Sequence, residues 1–104
     1  MATQISHWVD GRLVEGSSGR TSPVFNPATG EHIADVDLAS DVEVASVVAS
    51  ARTAAESWKV SSMFQRASVL FAFREILHRR RGELAHIVTR EHGKVLSDAA
   101  GEIA

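Results

Sequence analysis

The sequence has no cysteine in its 104 residues. Disulfides, thiolate metal sites and a cysteine nucleophile are therefore excluded within them. Long hydrophobic runs are also missing, and nothing approaches the ~18 apolar residues of a membrane span. Met1 to Ser6 shows neither a basic stretch leading into an apolar one nor an Arg-rich transit pattern, so the expected location is cytoplasmic. No excess of one charge exists: 11 basic against 13 acidic residues give a formal net charge of -2. That removes any global attraction to nucleic acid or acidic membranes. What remains, 44% hydrophobic and 23% charged, is ordinary globular material, one domain at most.

Residues 1–39 read as a β segment. Asp10-Gly11 between two short apolar-rich runs is the signal of a type I′ hairpin, pairing Val9 with Arg12 and Trp8 with Leu13. Gly16-Ser17-Ser18-Gly19 is a flexible connection, and a third strand covers Arg20 to Phe25. Asn26-Pro27-Ala28-Thr29-Gly30 is a turn, with Pro27 fixing φ and Gly30 free to take a positive one. A fourth strand puts Ala34, Val36 and Leu38 on one face and Ile33, Asp35 and Asp37 on the other.

Residues 40–104 read as helical. Ser40-Asp41-Val42-Glu43 is a capping box, followed by an apolar stripe of Val44, Val48, Ala51, Ala55 and Trp58. A second helix starts at Ser62 with Gln65 completing another box. Its wide arc of Ala67, Val69, Leu70, Phe73, Ile76 and Leu77 predicts a helix sandwiched between neighbours. His78 to Arg81 suit its negative end, and Gly82 is the expected C′ residue. A third helix carries Leu84, Ile87 and Val88 and ends near Gly93, and a fourth begins around Lys94 or Val95. Leu96, Ala99, Ala100 and Ile103 continue its apolar face up to Ala104 with no cap, basic last turn or proline stop. The residues therefore read as the front part of a larger protein, truncated within a helix. Strands followed by helices, without βαβ alternation, make an α+β segment rather than a complete doubly wound sheet.

The motifs that might carry chemistry have plain alternatives. Gly16-Ser17-Ser18-Gly19-Arg20 has the donors to cradle a phosphate, but it opens no helix and reads as a loop. Gly93-Lys94 lacks the upstream glycine of a P-loop, since Val88 stands there. His78 to Arg81 has no interleaved aromatics and reads as a solvated helix end rather than a nucleic-acid site. No two of the five histidines sit at i, i+4 on one helix, which argues against a metal centre. No serine lies in a GxSxG elbow, though spacing alone leaves a Ser-His-Asp triad open. Trp58, Phe71 and Phe73 are expected in the core.

Val24 to Glu31, reading Val-Phe-Asn-Pro-Ala-Thr-Gly-Glu, resembles the N-terminal signature of the aldehyde dehydrogenase superfamily. Other landmarks follow in the family's order: Trp58, Arg66-Ala67 with Leu70-Phe71, Glu83-Leu84-Ala85, and Glu91-His92-Gly93-Lys94. The likeness covers Ile5 to Ala104. Within the superfamily it is strongest to the acylating methylmalonate-semialdehyde dehydrogenases, through His7-Trp8-Val9, Leu70 to Glu75, Glu91 to Ala99 and Gly101-Glu102-Ile103.

The resemblance implies an α/β aldehyde-dehydrogenase-like parent fold, with residues 40–104 forming the first helices of its NAD-binding domain. It implies a parent that oxidises malonate or methylmalonate semialdehyde with NAD and coenzyme A, giving acetyl- or propanoyl-CoA and CO2. In such enzymes a cysteine thiolate adds to the aldehyde, hydride leaves for the nicotinamide, and coenzyme A takes over the thioester. It implies a homo-oligomer, dimer or tetramer, with a small-molecule substrate and no nucleic-acid or membrane partner. No residue here takes a catalytic or cofactor-binding role: there is no cysteine, and the family's substrate-binding arginine would follow directly after Ala104. Some relatives hold a structural sodium or potassium ion near the backbone matching Val24 and Phe25, with an acid at Glu91. Such an ion requires hard oxygen ligands, and relatives often have aspartate at that position. The rival expectation is a stand-alone interaction module that binds a partner through its apolar helix faces.

Overall fold

The computed structural model describes residues 3–103, which form five strands and four helices in two compact units. Residues 1–25 and 32–60 make up one unit, and residues 26–31 and 61–104 the other.

The first unit holds β1 (Thr3–Ile5), β2 (His7–Val9), β3 (Arg12–Val14), β4 (Thr21–Phe25), β5 (His32–Asp37) and α1 (Asp41–Val60). β2 and β3 form the expected hairpin, pairing Val9 with Arg12 and Trp8 with Leu13. Asp10 and Gly11 both take positive φ, 54° and 76°, as a I′ turn requires. The Trp8–Leu13 pair is nonetheless on the surface, at 69% and 70% exposure. β4 and β5 pair antiparallel, and β5 is the central strand of a three-stranded sheet with β1 on its other side. β1 is an addition to the sequence reading. It runs parallel to β5, Thr3 opposite Ala34, and so draws its order from residues distant in sequence. Ala34, flanked on both sides, is the buried residue of this sheet. Pro23 is tolerated because β4 is an edge strand. Ser40 and Glu43 form the predicted box: the Ser40 N–H donates to Glu43 Oε2 at 2.8 Å and the Glu43 N–H to Ser40 Oγ at 3.3 Å.

The second unit holds the 26–31 turn, α2 (Met63–Arg79), α3 (Arg81–His92) and α4 (Leu96–Glu102). Asn26 Oδ1 accepts from the Ala28 N–H and the Asn26 carbonyl from the Gly30 N–H, an Asx-type turn closed by Gly30 at φ 73°. Ser62 and Gln65 cap α2 reciprocally, as predicted. The α2–α3 break differs from expectation. It falls at Arg80, at φ -98° and ψ 12°, and Gly82 lies inside the first turn of α3. An ordinary residue can adopt that bridge conformation, so no left-handed glycine is needed there. Arg80 also grips Glu83 with two N–H donors, at 2.8 and 2.5 Å. α3 and α4 are in contact, and Ala85 and Ala99 are fully buried.

Gly93 ends α3 as predicted, at φ 78°, with its N–H bonded to the Thr89 carbonyl. A Cβ there would also sit 3.4 Å from Pro27 Cγ in the turn. Gly93→Ala should cost about 1–2 kcal/mol from the left-handed backbone alone. Hydrogen exchange should therefore quicken roughly 5- to 30-fold at the α3 and α4 amides.

The expected core placement of Trp58, Phe71 and Phe73 is corrected: they are 46%, 59% and 55% exposed. α1 and α2 contain no buried residue, so the predicted sandwiching of α2 is absent among the described residues. The stripes are present in the sequence, but these residues include no layer that covers them. No helix among the described residues is long and apolar enough to cross a membrane.

Candidate functional site

The Gly16–Gly19 loop is the segment whose chemistry the structure defines best. Its amides face carboxylates of the chain itself. The Gly16 N–H donates to Asp37 Oδ2 at 2.9 Å, and the Ser17 N–H to Glu43 Oε1 at 2.6 Å. Gln4 Nε2 donates to the other Asp37 oxygen, and Ser18 Oγ to the Leu38 carbonyl. Arg20 Nη2 reaches the Ala39 carbonyl at 2.9 Å. The arginine and two of the amides that could have cradled a phosphate are thus engaged internally. The plain-loop reading is the one the geometry favours. Sequence reasoning missed the carboxylate partners because Gly16 and Asp37 come together only through the fold.

Glu43 is the most perturbed acid. The Ser40 backbone N–H, then the Ser17 N–H and the Ser40 hydroxyl, lower its pKa from 4.5 to about 2. A depressed folded pKa stabilises the fold fully above 4.5 and loses that effect as the pH falls through about 2. Carboxyl NMR should show Glu43 titrating near 2. In Glu43→Gln the Ser17 amide should exchange faster than in the wild type, and this difference should shrink as the pH falls through about 2, where wild-type Glu43 itself becomes neutral.

The remaining candidates are dispersed. Arg81 Nε donates to the Ala100 carbonyl at 2.9 Å and Arg80 pairs with Glu83, so two members of the basic run serve helix junctions. Arg80 in turn lowers the Glu83 pKa, chiefly by hydrogen bonding. Lys94 Nζ is ion-paired to Glu102, whose pKa falls for the same reason. His32 Nε2 lies 3.1 Å from Asp35 Oδ1, with its ring tilted against Phe25. His86 Nδ1 contacts the Gly82 carbonyl at 2.7 Å, and His7 Nε2 is buried without a partner. The described residues contain no group of three or more His, Cys, Asp or Glu placed to hold a metal. For the ion expected at Val24, Phe25 and Glu91, the first two lie on β4 in one unit. Glu91 is in the last turn of α3 in the other, with its carboxylate 3.0 Å from Arg90.

Strands, capped helices and the Asn-Pro-Ala-Thr-Gly turn held against the end of α3 define the N-terminal part of an aldehyde dehydrogenase fold. The sequence pattern of the aldehyde dehydrogenase family matches residues 13–104, and the chain belongs to that family. Its relatives include malonate-semialdehyde dehydrogenase 2 of Shouchella clausii (strain KSM-K16), 43% identical over 99 residues, covering 95% of this chain and 20% of the relative. A structure from Sinorhizobium meliloti 1021 complexed with NAD, assigned as a methylmalonate-semialdehyde dehydrogenase, matches with TM-score 0.93 and 43% identity. It covers 98% of this chain and 21% of its own. The methylmalonate-semialdehyde dehydrogenase of Oceanimonas doudoroffii matches at TM-score 0.91 and 39% identity, over 99% of this chain and 21% of its own. The chain spans about a fifth of the length of the relatives it matches.

Proposed function

We propose that these residues are the N-terminal segment of an NAD- and CoA-dependent (methyl)malonate-semialdehyde dehydrogenase that is cytoplasmic and homo-oligomeric. What carries the reading is likeness over nearly the whole chain to enzymes named for that substrate class, at 36% to 43% identity. The segment's part is scaffold. Its glycine-rich loop does not offer these amides to a phosphate, because Asp37 takes the Gly16 N–H and Glu43 the Ser17 N–H. No step of the reaction is therefore assigned to a residue of this chain.

Two assays test the proposal. The purified 104-residue chain, given malonate semialdehyde, NAD and CoA, should form no NADH. A family-length protein carrying this segment should form NADH and acetyl-CoA together, and NADH formation indifferent to CoA would overturn the acylating reading. The exposed faces of α1 and α2 favour one second reading, an interaction module. It predicts a stable complex with an unrelated protein and no activity in the family-length form.

A further inference from the structure

We draw no further inference here: the strongest candidate, the apolar groove of about 310 Å³ between β2 and α1 lined by Trp8, Val9, Val44, Val47 and Val48, has nothing in the structure to show what covers it.

Discussion

At micromolar concentration the isolated chain should sediment as concentration-dependent oligomers and bind a hydrophobic dye, while keeping a helical circular dichroism spectrum. Among the described residues the buried hydrophobic ones are Ala34, Ala85 and Ala99, none with a large side chain. Val42, Val60, Met63, Phe64, Leu70 and Phe71 are all exposed on α1 or α2 or at their ends. Burying one side chain of this size stabilises by about 1.5–3 kcal/mol. Ordering one residue's backbone costs about 1–2 kcal/mol. Alanine-only burial cannot offset that cost along long helices, whereas stacking the exposed faces can. Local caps, at Ser40 and Ser62, are what keep the helices nucleated. Replacing Leu70 and Phe73 together by glutamine should shift the sedimentation toward monomer. A wild-type monomer that melts cooperatively without binding dye would contradict the argument.

The elements legible in the sequence are those decided by a few adjacent residues. Asp10-Gly11 sets a hairpin because both positions need positive φ, and Ser62 with Gln65 sets a helix start because the two groups satisfy each other. Gly93 was legible as a helix end for the same reason. β1 was not, since three residues carry no periodic signal and its partner strand is far along the chain. Gly82 misled because a glycine after a basic run suggests a left-handed cap, while Arg80 makes the break in a conformation open to any residue. Trp58, Phe71 and Phe73 show a further limit: periodicity tells which face wants cover, not whether the cover lies in the same residues. For the loop at Gly16, composition showed the donors but not their partners. Asp37 and Glu43 arrive through the sheet and the first turn of α1.

Gly16→Ala should be the most damaging single substitution in the first unit. An added Cβ would lie 2.8 Å from Asp37 Cβ and 2.9 Å from its Cγ, closer than real Cβ contacts come. Asp37 cannot simply swing away, because its oxygens hold the Gly16 amide and Gln4. Either the aspartate abandons both donors or the loop backs off, which also pulls the Ser17 amide from Glu43. Overpacking and loss of a charge-assisted hydrogen bond together should cost about 2–3 kcal/mol. Arg20 reports the effect: its carbonyl accepts from the Leu38 N–H at 2.9 Å and its guanidinium holds the Ala39 carbonyl, so trypsin cuts there only after opening. Cleavage after Arg20 should therefore accelerate roughly 30- to 150-fold in the variant. Gly82→Ala makes the same chemical change in the first turn of α3, where a Cβ meets nothing, and should instead add about 0.5–1 kcal/mol of helix stability. Equal cleavage in wild type and Gly16→Ala would mean that the Asp37 contact does not hold this loop. In that case the Gly16 amide would be free to serve the anion cradle that the glycines first suggested, while Glu43 still holds the Ser17 amide.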